Sequence, residues 1–386
     1  MKRILFFIIF FLSNPLHAEN PVLNKQCLTS IVLVDFDFPG AGNLSCEIIN
    51  SQHIKLFINS ETDDSINPSP WFAIRKSKHS ENIKIELDYG NYNYRYNPKI
   101  SSDNKAWDNL NMLNILKKNN DKILVIDFLP SNKKQYIASQ EIITQSWYYN
   151  WFNELKETGK VRSETIGFSV LKKPITMFFI ETDIKNPYII ILGRQHPPEV
   201  TGAFALKGFI DQLVSPSQLS QNFLNQYNII FVPLMNPDGV DNGHWRYNVN
   251  KIDLNRDWGT FSQPETIAVN EKLIRLTANS KLALFIDFHS TYNNIFYISE
   301  NSSNNLSKFS LENWINNSSS GLLGIGYNFQ LINSSNKDNG VSKNYIYNKY
   351  NIPSMTYEVS DSEDRKKIKQ SSSILATELM KFLVIN

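Results

Sequence analysis

Two residues three apart, His196 and Glu199 in His196-Pro197-Pro198-Glu199, sit on a turn stiffened by two prolines. An imidazole nitrogen and a carboxylate oxygen placed this way can converge on one zinc ion, and a catalytic zinc takes three protein ligands plus a water. The same residues also describe an ordinary helix start, with proline in the first turn and Glu199 complementing the helix dipole. His289 ends the apolar run Leu284-Phe285-Ile286-Asp287-Phe288 and reads either as a third ligand or as a core histidine. Glu358 is the one carboxylate in Met355-Thr356-Tyr357-Glu358-Val359. A charge in a buried strand is costly unless paired. Glu358 therefore lies at an exposed strand end or works as a general base on water at a metal. Between these points, Asn236-Pro237-Asp238-Gly239 favours a turn. Arg246 and Arg256 follow it. A guanidinium suits a carboxylate bidentately or a developing oxyanion, and solvated arginines are the alternative.

Bringing such residues together takes a sheet. An apolar run at 188–192 leads into a helical pattern over 200–213. Similar runs stand at 229–234, 282–288 and 354–359, with helical spacing near 264–278 and over 371–383. Spacing over 139–156 predicts a first helix, and 164–171 and 175–181 a hairpin. This alternation predicts an α/β domain over 133–386, a mixed, largely parallel sheet flanked by helices. Sites in such sheets lie at the carboxyl ends of strands. Asn- and Ser-rich residues 299–320 are expected to form a surface loop. Residues 19–132 differ: short runs at 28–38, 47–58, 71–75, 83–87 and 123–128, and the alternating Tyr92, Tyr94 and Tyr96, are separated by turn residues. They predict a small all-β sandwich. Residues 110–116 fit a strand or one helical turn.

The 386 residues suffice for two domains and a large core. A net charge of +2 makes no global case for nucleic acid or an anionic membrane surface as partner. Lys2 and Arg3 precede the apolar run 4–12, and Ala18 follows at a plausible cut. Residues 1–18 thus read as a secretory signal, whose apolar run is too short to span a bilayer as a helix. The mature chain is expected to be exported, periplasmic or secreted, with no stable membrane insertion; an uncleaved anchor is the alternative. Cys27 and Cys46 are the only cysteines. An even pair in an exported chain invites a disulfide, closing a loop of about twenty residues and worth roughly 3 kcal/mol. Two buried thiols are the alternative.

Taken jointly, His-Pro-Pro-Glu, Asn-Pro-Asp-Gly-Val, Gly-His-Trp-Arg, Asp-Leu-Asn-Arg-Asp-Trp, Asp-Phe-His-Ser and Thr-Tyr-Glu-Val resemble the zinc metallocarboxypeptidases. The likeness is greatest to the cytosolic-carboxypeptidase-like branch, which carries a β-sandwich before its catalytic domain. The resemblance implies one zinc ion held by His196, Glu199 and His289, and Glu358 as the catalytic carboxylate. It implies that Arg246 polarises the scissile carbonyl and that Asn255 and Arg256 grip the substrate's terminal carboxylate. Asp253 matches the carboxylate behind the first zinc histidine. Lys343 falls where that branch places basic residues facing acidic substrate side chains, and a solvated lysine is the alternative. The family's mobile tyrosine is not singled out among Tyr327, Tyr345 and Tyr347. Export departs from the cytosolic branch.

The expected function is hydrolysis of the C-terminal peptide bond of peptides or protein tails. Trimming of cell-wall stem peptides is a second expectation, motivated by the envelope location. A non-catalytic peptide-binding protein on the same fold is a third.

Overall fold

Parallel strands buried on both faces need apolar residues at nearly every position, and four runs meet that demand. Asn228–Val232, Tyr188–Gly193, Leu282–Thr291 and Ser354–Ser360 lie side by side, parallel, at the middle of an eight-stranded sheet. The structure, a computed structural model, describes residues 25–63, 66–300, 310–334 and 339–385. The expected leader, 1–18, lies outside the described residues. The predicted hairpin, Arg162–Phe168 and Pro174–Ile180, closes one edge antiparallel. Ile295–Ser299 and Gln330–Asn333 close the other.

Alternation divides the core in two. Ile189, Ile191, Leu284, Ile286 and Phe288 face the helices Val200–Leu213, Leu311–Gly324 and Arg365–Ile385. Ile190, Leu192 and Phe285 face Leu273 of Pro264–Thr277 and Ile346 of Ser342–Tyr350. Asp287 and His289 continue the Phe285 row, so polar groups replace apolar ones on that face as the strand reaches its carboxyl end.

Several boundaries differ from the sequence reading. The first helix is Gln145–Glu157, and residues 139–144 run in without helix. The last begins at Arg365. The tyrosines at 92, 94 and 96 form no strand; Tyr92 packs edge-on against Trp245 at 5.2 Å. The expected loop at 299–320 is largely helical from Leu311 onward. Ser310 caps that helix by accepting from the Asn313 N–H, and Leu311, Trp314, Ile315 and Leu322 bury its one apolar stripe. Residues 301–309 lie outside the described residues. At 110–116 both alternatives occur: a 3-10 turn over Met112–Asn114 runs into the strand Ile115–Lys118.

Two further sheets precede the α/β half. One has six strands and ends its chain contribution with Gln135–Ala138, past residue 132. The other has five. Cys27 of the first is bonded to Cys46 of the second, Cα atoms 6.3 Å apart. Leu56, Ile85 and Trp71 belong to the same continuous apolar cluster as Ile189 and Phe231, so the N-terminal sheets and the α/β half share one core. Among the described residues no helix is long and apolar enough to cross a membrane.

Candidate metal centre

The strand Tyr188–Gly193 ends in a turn where Arg194 takes a left-handed conformation, φ 56°. His196, Pro197 and Pro198 follow, and the helix begins at Val200. Glu199 occupies the N-cap position yet makes no capping bond to its own helix. Its carboxylate turns the other way: Oε1 lies 2.7 Å from His196 Nδ1, and Oε2 lies 2.7 Å from His289 Nδ1. The helix-start alternative therefore describes the backbone and not the side chain. His196, Glu199 and His289 are all buried, with one ligand atom from each within 4.8 Å of the others.

The far side of each ring is held by a carboxylate. His196 Nε2 is 2.9 Å from Asp253 Oδ1, and His289 Nε2 is 2.9 Å from Asp287 Oδ2. With a proton on each Nε2 facing these anions, both Nδ1 lone pairs point inward at Glu199. A lone pair facing a carboxylate oxygen at 2.7 Å is repulsive unless positive charge lies between them. A proton on each ring, or one divalent cation, supplies it. The titration directions say the same. Burial disfavours the charged form of His196 and His289, but Glu199, Asp253 and Asp287 outweigh it and raise both rings, His289 strongly. Burial alone would raise Glu199, yet the two histidines draw it well below the carboxylate range. Asp253 is lowered likewise by His196 and Arg246. Two imidazoles and a carboxylate with inward donors fit zinc, which accepts both ligand types.

Asp287 is the carboxylate that sequence reasoning missed. The signal was there: an acid two residues before a histidine on an alternating strand shares its face. Gln195 Nε2 donates to Asp287 Oδ2 at 2.5 Å, and the Ser342 hydroxyl donates to the same oxygen. Close packing finishes the centre. A Cβ on Gly202 would stand 2.6 Å from the His289 carbonyl oxygen, so only glycine lets this helix approach the strand.

Glu358 pairs in register with His289 on the neighbouring parallel strand, which puts the two side chains on one face. It is half-buried, with Oε2 closed to solvent and unpartnered among the described residues. Burial, aided by Glu199 and opposed by His289, pushes its carboxyl up to about 7. Arg246 is half-buried, and its Nε and Nη2 both donate to Asp253 Oδ2 at 2.8 and 2.7 Å, leaving Nη1 free of that pair. Asn255 and Arg256 sit on a single 3-10 turn capped by Asp253. The Asn255 side-chain Oδ1 accepts from the Ser342 N–H at 2.9 Å. Its amide nitrogen lies 3.3 Å from His289 Nε2, whose proton faces Asp287, so the Asn255 N–H groups are left for another acceptor. Arg256 is exposed, and among the described residues no carboxylate pairs with it.

Lys343 is not solvated. It is 3% exposed, and its ammonium donates to Ser299 Oγ and Ser334 O at 2.5 Å each and to Ser334 Oγ at 3.2 Å. Burial draws it down to about 8. Ser299 stands opposite Ser354, and Ile295 opposite Glu358. Opposed residues of antiparallel strands share a face, so Lys343 ends a polar lane of Glu358, Thr356, Tyr297 and Ser299. The Thr356 hydroxyl in that lane is buried without a partner among the described residues. It lies some distance from the centre: four residues of strand separate Ser354 from Glu358, about 13 Å. Two of the three competing tyrosines are engaged elsewhere: Tyr327 bonds Tyr357 at 2.5 Å, and Tyr345 donates to Asn270 at 3.0 Å. Tyr347 is half-buried.

The N-terminal sheets also reach this end of the α/β sheet, which nothing local in the sequence announced. The Arg95 Nε donates to Asp361 Oδ2 at 2.8 Å and Nη2 to the Ser290 carbonyl at 3.3 Å. Arg95 thus ties together the segments that follow His289 and Glu358.

Comparison with known proteins follows the same lines. Residues 128 long in this chain are 32% identical to cytosolic carboxypeptidase 2 of Xenopus tropicalis, covering 32% of this chain and 13% of that protein. A stretch of 109 residues is 37% identical to cytosolic carboxypeptidase 1 of Mus musculus, covering 27% of this chain and 9% of that protein. The match thus spans a small part of these longer relatives. The fold as a whole is that of a metallo-carboxypeptidase from Burkholderia cenocepacia, with TM-score 0.73 and 17% identity over 92% of this chain and 99% of that one. A Pseudomonas aeruginosa metallo-carboxypeptidase is similar at TM-score 0.72 and 19% identity, over 91% of this chain and 98% of that one. The zinc carboxypeptidase family model matches residues 148–380, the span that holds both histidines, Glu199 and Glu358. On that match the chain belongs to the zinc carboxypeptidase family, a family of zinc-dependent peptidases.

Proposed function

We propose that this chain removes the last residue from peptides or protein tails, using His196, Glu199 and His289 as the ligands of one zinc ion. The observation that carries the reading is Glu358: a carboxylate with a free, solvent-shielded oxygen, in register with His289, is set for proton transfer and for little else. Zinc held by the three ligands supplies Lewis acidity, acidifying water and withdrawing charge from a carbonyl oxygen. Glu358 takes the proton of the attacking water and later delivers it to the leaving amine nitrogen. Arg246 donates to the carbonyl oxygen as negative charge develops there, through the Nη1 that Asp253 leaves free. Arg256 and the Asn255 amide bind the terminal carboxylate, which confines cleavage to a chain end. Asp253 and Asp287 hold the two rings in the tautomer that turns Nδ1 inward.

The polar lane supports a substrate class. A buried ammonium with neutral oxygens as its only partners among the described residues suits an acidic C-terminal side chain. We further propose that 1–18 is removed on export, consistent with the Cys27–Cys46 bond, and that the two N-terminal sheets form a β-sandwich packed on the α/β half through their common core. Peptides ending in glutamate, leucine or lysine, and cell-wall stem peptides, incubated with the zinc-loaded protein and analysed by mass spectrometry, test the reading. The expected result is chelator-sensitive loss of one residue from glutamate-ended peptides. Glu358→Ala is expected to keep one zinc per chain and to lower turnover by about 10³-fold or more. A Glu358→Ala protein of undiminished turnover refutes the assignment.

A further inference from the structure

The loop that carries Arg246 has no regular structure of its own, so its backbone amides need partners from elsewhere. Three successive N–H groups, of Trp245, Arg246 and Tyr247, all donate to the carboxylate of Glu61, each at 2.8 Å. Consecutive amides aimed at one anion form a backbone nest, and a carboxylate in it makes charge-assisted bonds. Glu61 follows the strand His53–Asn59 of the five-stranded N-terminal sheet. Its neighbours extend the grip. Tyr92 packs on Trp245, and the Ile66 N–H donates to the Tyr247 hydroxyl at 3.1 Å. Gly42 and Gly243 meet backbone to backbone: a Cβ on Gly243 would lie 2.5 Å from the Gly42 nitrogen. On its inner side the loop presents the guanidinium that bonds Asp253, which in turn bonds His196.

We infer that Glu61 is a positioning residue for the reaction: it fixes the backbone from which Arg246 reaches the reacting carbonyl. This rests on the reading of Arg246 given above. The N-terminal half is then part of the working site. Glu61 touches no substrate. Its effect passes through Arg246, so it belongs to turnover more than to ground-state binding.

A double-mutant cycle on the full zinc-loaded chain tests this, with Glu61→Ala, Glu61→Gln, Arg246→Ala and both doubles. Turnover, KM, zinc per chain and melting temperature are measured for each. Glu61→Ala is expected to lower kcat about tenfold or more with KM within about twofold and zinc unchanged. Glu61→Gln keeps one acceptor oxygen and is expected to lose less; it carries the same cycle if the alanine variant does not fold. In the Arg246→Ala background either change is expected to alter kcat by less than about twofold, because the residue it positions is gone. A merely structural role predicts the same fold-loss in both backgrounds, and that outcome overturns the inference, as does an unchanged kcat for the single Glu61 variants. Wild-type turnover in Arg246→Ala alone overturns instead the role given to Arg246, and the inference with it.

Discussion

Lys343→Met is expected to stabilise the protein and impair it at once. The ammonium is 3% exposed and has three oxygen acceptors but no carboxylate among the described residues. Burial lowers it from 10.5 to about 8. That gap corresponds to about 3 kcal/mol of penalty for keeping the charge inside. The sign follows from which state holds the proton. Below pH 8 folded and unfolded chains both carry it, and the full penalty applies. Between 8 and 10.5 the folded chain gives the proton up while the unfolded chain keeps it, so the penalty fades. Above 10.5 neither is charged. Methionine removes the charge but leaves Ser299 Oγ and Ser334 Oγ without that donor, at about 1 kcal/mol each, while the Ser334 carbonyl still accepts from the Ser299 hydroxyl at 2.9 Å. The variant is then expected to be more stable by about 1 kcal/mol at pH 7 and less stable by about 2 kcal/mol above pH 10.5.

Urea denaturation of both proteins at intervals from pH 6 to 10.5 reads this directly. A difference that is flat with pH refutes the argument, because another group then carries the titration. The functional arm runs in parallel. If the ammonium meets an acidic side chain, kcat/KM for a glutamate-ended peptide falls about 10²-fold, and that for a leucine-ended peptide holds or rises. Equal losses on both peptides would mean that Lys343 serves only to hold its helix against the edge strands.

Other expectations concern the centre itself. Asp287→Asn leaves a neutral oxygen behind His289 and is expected to weaken zinc about 10–100-fold, read by competition with a chelator of known affinity; unchanged affinity would assign Asp287 to folding alone. Gly202→Ala puts a Cβ 2.6 Å from the His289 carbonyl oxygen. Overpacking of that kind is expected to cost about 1–3 kcal/mol in urea, with reduced zinc occupancy because the strand bearing His289 has to shift.

What the sequence makes legible here is what short-range chemistry dictates. The four central strands announce themselves because a buried parallel strand tolerates almost no charge, and the few polar residues at their ends, His196, His289 and Glu358, stand out against that background. The helix Leu311–Gly324 is hidden for the converse reason. Its exposed face is rich in Asn and Ser, poor helix formers, and four buried apolar residues, the Ser310 cap and the Glu300 carboxylate on its first N–H groups hold it. Asp287 is a middle case: its spacing from His289 is visible, but that it faces the ring and not solvent depends on the neighbouring strand and on Gln195 and Ser342 from other elements.

Glu61 and Arg95 lie beyond such reasoning. Glu61 meets Arg246 across 185 residues, and Arg95 meets Asp361 across 266. Neither stands in a motif, and each lies in a loop of the N-terminal half, outside any strand. Yet each contacts segments that hold the proposed reacting groups, Glu61 the loop of Arg246 and Arg95 the stretches after His289 and Glu358. The proposed ligands all come from the α/β half, whereas the loop of Arg246 is held by Glu61 from the segment that precedes it. Replacing Glu61 is therefore expected to keep the donor set for zinc but to remove the carboxylate under the Arg246 loop. That separates metal binding from turnover in a way the sequence motifs alone do not predict.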